Sequence, residues 1–138
     1  MKRDLGNTIV TSVTITPQTI GATGNTYVEG TGVDRLGYES VVFVLSTDKT
    51  AGVPTGLTIT AKIQESSDNS TFTDITSASG THVITNSATH VDVEIADATT
   101  TKRYIRGYVS GAYTGGAPIT TVDGVLILGS PKNYPTTA

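Results

Sequence analysis

Val41-Val42-Phe43-Val44-Leu45 is the densest apolar block in the chain. Five consecutive β-branched, aromatic or aliphatic residues suit a strand buried on both faces. The block is too short for a helix that would need covering all round. It follows a polar turn, Asp34-Arg35-Leu36-Gly37, in which Gly37 meets a backbone need and Asp34 and Arg35 pin the turn. The rest of the chain reads as weaker strands that pack against this one.

Composition agrees. Of 138 residues, 36% are hydrophobic and only 15% charged, with 15 Gly and 5 Pro. A Thr/Val/Ile/Gly mixture without charged residues four apart on one face predicts an all-β domain with many turns. The length favours one domain with one core. The net charge of −3 argues against a nucleic-acid partner, which needs a basic patch. There is no cysteine, so stability must come from the core, from oligomerisation or from docking on a larger body. Lys2 and Arg3 have no apolar run behind them, so a signal peptide is not expected, and no apolar stretch approaches the ~20 residues of a membrane span.

In chain order, residues 1–7 read as a polar arm. Thr8 to Thr16 is a strand with Ile9, Val13 and Ile15 inward, and Pro17 ends it or marks a sheet edge. A turn over 20–25 precedes a strand from Thr26 to Val33, where Gly30 and Gly32 mark a bulge or a close approach. The central strand runs from Tyr38 to Ser46, and 47–56 is a loop. Leu57, Ile59, Ala61 and Ile63 alternate with Thr58, Thr60, Lys62 and Gln64 in a strand with one wet face. Ser66 to Ser70 is an Asx-rich turn leading to a short return strand with Phe72 and Ile75. Thr76 to Ala88 is least defined, with a short edge strand at His82-Val83-Ile84. Val91, Val93 and Ile95 alternate inward against Asp92 and Glu94. Lys102 to Val109 carries bulky residues on both faces, 111–118 is a Gly-rich loop, and Ile119 to Gly129 is a last apolar strand. Val41–Leu45 and Val125–Leu128 are expected at the sheet centre, with a tail over 130–138. About eight strands in one domain over 8–129 predict an antiparallel β-sandwich or jelly roll, of undetermined strand order.

No pattern demands chemistry. Ser46-Thr47-Asp48-Lys49 has Ser-x-x-Lys spacing but follows a strand instead of lying on a helix. His82 and His90 are too few for a metal site, and Asp68-Asn69 lacks the acidic ladder of a calcium loop. Glu65, Asp68 and Asp74 cluster around a turn. Asn69-Ser70-Thr71 is a chance glycosylation match. Tyr38, Tyr104, Tyr108, Tyr113 and Tyr134 could form a sugar-stacking platform, though there is no Trp; Tyr38 and Tyr104 read better as buried, Tyr113 and Tyr134 as interface residues. Lys102, Arg103 and Arg106 form a basic cluster that fits a solvated strand face or an acidic partner subunit. No enzyme activity and no cofactor are expected.

Several segments together resemble small head-gene structural proteins of tailed bacteriophages. They are Val33-Asp34-Arg35-Leu36-Gly37-Tyr38-Glu39-Ser40-Val41, the stretch from Lys62 through Glu65-Ser66-Ser67-Asp68-Asn69-Ser70 to Ile75, Lys102-Arg103-Tyr104-Ile105-Arg106, the opening Met1-Lys2-Arg3-Asp4-Leu5, and Leu126-Ile127-Leu128-Gly129-Ser130-Pro131-Lys132. Thr76–Ala88 departs from the pattern. The resemblance implies a capsid decoration, or cement, protein. It implies a sandwich bound outside the icosahedral shell, as trimers between capsomers of the major capsid protein, assembled in the host cytoplasm. It brings no catalytic residues, no nucleic-acid partner and no membrane. Expected contacts are the arm, the tail and loops 47–56 and 111–118, with Lys2, Arg3, Asp48, Lys49, Arg103, Arg106, Tyr113 and Tyr134 as interface candidates. The alternative is a tail or fibre module that binds host carbohydrate.

Overall fold

The computed structural model describes residues 9–22, 26–48, 56–83, 89–95, 101–116 and 118–131. They form nine strands: β1 (Val10–Gly21), β2 (Tyr27–Glu29), β3 (Val33–Asp34), β4 (Tyr38–Thr47), β5 (Gly56–Ser66), β6 (Thr73–Val83), β7 (Thr89–Ile95), β8 (Tyr104–Thr114) and β9 (Ile119–Pro131). One sheet has the order β1-β9-β4-β7; the other has β2-β8-β5-β6, with β3 also pairing with β8. All pairings are antiparallel. Taking β2 and β3 as one interrupted strand, successive strands alternate between the sheets except at the β5–β6 hairpin. This is jelly-roll topology, and it fixes the strand order that periodicity alone leaves open.

The centre of the first sheet is where the apolar block predicts it. β4 and β9 are its two inner strands. Val41, Phe43 and Leu45 are fully buried and face Val122, Leu126 and Leu128 of β9 and, across the sandwich, Ile59, Ala61, Ile63, Ile105 and Val109. Burying each large aliphatic or aromatic side chain contributes about 1.5–3 kcal/mol. The expectation of burial on both faces fails, because Val42 and Val44 are only half-buried. Nothing else in the described chain covers that side of the sheet.

Pro17 does not end β1. The strand runs on to Gly21, with register shifts between Val13 and Ile15 and between Ile15 and Gln18. β1 lies at the sheet edge, where proline and bulges are tolerated. The first shift also changes the facing of its residues. Thr14 and Ile15 are both buried, whereas Val13 points outward and is 58% exposed. A simple alternation would have placed Val13 inside with Ile15.

Gly30 sits in the gap between β2 and β3 because a Cβ there would lie 2.4 Å from Thr14 Oγ1 and 2.6 Å from the Gly107 carbonyl. Its N–H donates to that carbonyl at 2.8 Å. The Asp34–Gly37 turn forms as expected, with Gly37 at φ +94° and the Tyr38 N–H donating to the Arg35 carbonyl at 3.0 Å. Three further boundaries differ. β6 continues to Val83, through residues read as undefined; β8 continues to Thr114, into the expected Gly-rich loop; and β9 reaches Pro131, paired with Tyr38, two residues into the expected tail.

Candidate interaction surfaces

The two outer faces of the sandwich differ in chemistry. On the four-stranded sheet, alternation in β9 and β4 sends Val125, Ile127, Val42 and Val44 outward, and the bulge in β1 adds Val13. Register places them side by side. Val13 pairs with Val125, Val125 with Val44 and Val44 with Asp92; Thr11 pairs with Ile127, Ile127 with Val42 and Val42 with Glu94. The result is an aliphatic ladder three strands wide. Its far edge is acidic, formed by the exposed Asp92 and Glu94, with Asp123 opposite Ser46 one step along. His90 Nε2 lies 3.8 Å from Asp92 Oδ2 on the same rim.

The outer face of the other sheet is polar and aromatic. Tyr27 of β2 stacks on Tyr108 of β8, with ring centroids 6.0 Å apart and planes inclined by 23°. Lys62 Nζ lies 5.7 Å above the Tyr108 ring. Beside them runs a chain of hydrogen bonds across four strands. Arg106 Nη2 meets Glu29 Oε1 at 3.0 Å, and Arg106 Nε donates to Gln64 Oε1 at 2.8 Å. Gln64 Nε2 donates to Asp74 Oδ1 at 2.7 Å, and Lys62 Nζ to Asp74 Oδ2 at 2.9 Å. The Gln64 and Lys62 bonds hold the Asp74 carboxyl below its usual range, and Asp74 in turn raises Lys62. The Arg106 guanidinium also covers the Phe72 ring at 4.3 Å.

Arg35 is 7% exposed. It donates from Nε to the Lys102 carbonyl at 2.8 Å, from Nη1 to the Tyr38 carbonyl at 3.4 Å and from Nη2 to the Thr101 carbonyl. It therefore ties the turn after β3 to the segment before β8, in keeping with its expected pinning role. Asp34 caps the Leu36 N–H at 2.9 Å and takes Arg103 Nη2 at 2.8 Å and Nε at 3.1 Å. Arg103 is the main cause of the lowered Asp34 pKa.

Of the interface candidates, Lys2, Arg3, Lys49 and Tyr134 lie outside the described residues, as do most of loop 47–56 and the arm 1–7. Asp48 follows β4, is exposed, and donates its N–H to the Thr121 carbonyl at 3.0 Å. Arg106 lies in β8 and Arg103 immediately before it, and both guanidinium groups hold carboxylates of this chain. Tyr113 lies in β8, not in a loop, and packs half-buried against the core. Tyr38 packs on the core as expected; Tyr104 is half-buried under Arg103, 5.3 Å from its ring. Neither the aliphatic ladder nor Tyr27 was among the candidates. The ladder was hidden by the apolar run itself, since consecutive valines do not show which face is bare. The alternation Tyr27-Val28-Glu29 did carry a signal for an outward Tyr and Glu. Among the described residues no three His, Asp or Glu side chains come together as a metal site.

No protein-family profile matches the sequence, and no curated protein does. Solved structures share the fold. The Gx strain structure of infectious bursal disease virus matches with a TM-score of 0.64 at 13% identity, over 92% of this chain and 33% of that one. The PBSX exported protein XepA matches with a TM-score of 0.52 at 19% identity, over 94% and 39%. The CBM22-1-GH10 modules of a Clostridium thermocellum xylanase match with a TM-score of 0.51 at 11% identity, over 95% and 27%. The chain thus spans between a quarter and two-fifths of the length of these proteins. At these identities the likeness is one of fold, a jelly-roll β-sandwich.

Proposed function

We propose that this protein is a structural component of a tailed-phage virion that decorates the capsid exterior. Copies, grouped as trimers, bind across capsomers of the major capsid protein and stabilise the expanded shell. The observation that carries the proposal is the ladder Val13–Val125–Val44 and Ile127–Val42 on the solvent side of a jelly-roll sheet. Val13 is exposed and the other four are half-buried, and contiguous aliphatic surface on the outside of a sheet fits a contact with another protein. The acidic rim of Asp92, Glu94 and Asp123 calls for a capsid surface that is apolar at its centre and basic at its margin. The sequence resemblance points to this role. The fold likeness to a viral protein and to XepA supports the body plan.

The energetics suit a clamp. A protein that binds the expanded lattice and not the unexpanded one shifts the equilibrium by its differential affinity alone. Many identical weak contacts then act together. No catalytic step belongs to this role.

The test is to add purified protein to expanded capsids that lack it. Wild type should co-sediment with them, and Val13→Asp should not, while its circular dichroism and Tm stay close to wild type. Failure of the folded wild type to co-sediment overturns the proposal.

A further inference from the structure

The Tyr27–Tyr108 face is unlike a protein-docking surface. The centre of a protein interface is depleted of charge. Here the stacked pair is bordered by Glu29, Lys62 and Arg106, with Gln64 and Asp74 next to them. The groups are also held in place before any ligand arrives. Glu29, Arg106, Gln64, Asp74 and Lys62 form one continuous chain of bonds of 2.7–3.0 Å. Tyr27 is 53% exposed, so ring surface remains open to solvent. Tyr27 and Glu29 further line, with Gln18 and Val28, a shallow depression of about 270 Å³.

We propose that this face binds polysaccharide, a function separate from capsid decoration. A sugar ring presents polarised C–H groups on its faces and hydroxyls round its edge. The C–H groups pack on the electron-rich face of an aromatic ring. The hydroxyls, as donors and acceptors, match the exposed Glu29 and Asp74 carboxylates and the Lys62 ammonium, which the largely buried Arg106 and Gln64 hold in place. Because the rim is already ordered by its mutual bonds, binding immobilises little further side-chain freedom. Nucleic acid fits poorly, since Glu29 and Asp74 would face its phosphates. The platform lies on the sheet opposite the aliphatic ladder, so both surfaces can be occupied in one copy.

Affinity electrophoresis of the whole protein tests this, in native gels containing soluble xylan, hydroxyethylcellulose or purified bacterial lipopolysaccharide. At least one gel should retard wild type. Tyr27→Ala and Tyr108→Ala should each weaken the retarding interaction by roughly tenfold. Tyr27→Phe should preserve it, and Val13→Asp should leave it unchanged. Circular dichroism confirms that each variant is folded. Absence of retardation in all three gels overturns the proposal, as does retardation that survives both alanine variants. Loss of capsid co-sedimentation in Tyr27→Ala, without any gel retardation of wild type, overturns it in favour of a protein contact.

Discussion

Thr14 in one sheet accepts a hydrogen bond from the Gly107 N–H in the other, at 3.0 Å and out of solvent. The same hydroxyl donates to the Thr31 carbonyl at 2.8 Å, and the Thr31 N–H returns to the Thr14 carbonyl at 2.7 Å. The cause lies in two irregularities that meet. The gap between β2 and β3 leaves Gly107 opposite no ladder partner on that side, and the β1 bulge aims Thr14 into the gap. Thr14→Val keeps the shape but strands a buried N–H and a carbonyl, so it should cost about 2 kcal/mol. Thr14→Ser loses only a methyl group, worth about 1 kcal/mol. Urea denaturation of both variants checks the order; equal losses would show that the hydroxyl is not the tie.

Phe43 depends on two glycines. A Cβ at Gly107 would lie 2.4 Å from Phe43 Cε2, and one at Gly124 would lie 2.6 Å from the same atom. The ring thus occupies a slot that only hydrogen side chains leave open. Gly107→Ala and Gly124→Ala should each destabilise by about 1–3 kcal/mol through overpacking. Phe43→Ala should cost about 3–5 kcal/mol by leaving a cavity. Combining Gly124→Ala with Phe43→Leu should cost less than the sum of the two single changes, because both act on one space. Strict additivity in denaturation measurements would refute the shared slot.

The elements of this fold were legible where side chains alternate or mass together. β5 shows Ile59, Ala61 and Ile63 inward as its pattern predicts, β7 shows Val93 and Ile95 inward, and β4 and β9 are the central pair. What could not be read depends on partners distant in sequence. The facing of Val13 follows from a bulge against Val125, and the length of β8 from pairing along β5 as far as Gly56–Thr114. Tyr113 in a Gly-rich stretch looks like a loop residue until Leu57 is placed opposite it. The candidate surfaces suffered in the same way. Nothing in the sequence shows that Asp34 and Glu29, 69 and 77 residues away, hold Arg103 and Arg106.

The turn after β5 should respond to acid. Asp68 is held down to about 2 by the Thr71 N–H above all, then the Ser66 hydroxyl and the Ser70 N–H. These bonds measure 2.9, 2.8 and 2.9 Å. The carboxyl sits near its ordinary 3.8 when the chain is unfolded. Its stabilising effect is therefore complete above that value and is lost as pH falls towards 2. The Tm gap between wild type and Asp68→Ala should be widest near neutrality and close over that acid window. A gap that stays constant down to about pH 2 would contradict the bonding of the ionised form.

The Tyr113 hydroxyl is out of solvent and makes no hydrogen bond among the described residues. Burial pushes its pKa up to about 12. Gly111 accommodates it, since a Cβ there would lie 2.6 Å from the hydroxyl oxygen. Tyr113→Phe removes an unmatched polar atom and leaves the ring packed on the core, so it should stabilise by about 1 kcal/mol. The unfolded phenol ionises near its ordinary 10.0, the folded one only near 12. The folded state thus holds this proton more tightly, and wild type should lose stability as pH climbs through that window, where Tyr113→Phe should lose less. Ultraviolet titration should lose a phenol ionising near 12 when Tyr113 is replaced by Phe. A variant less stable than wild type at neutral pH would mean that the hydroxyl is bonded after all.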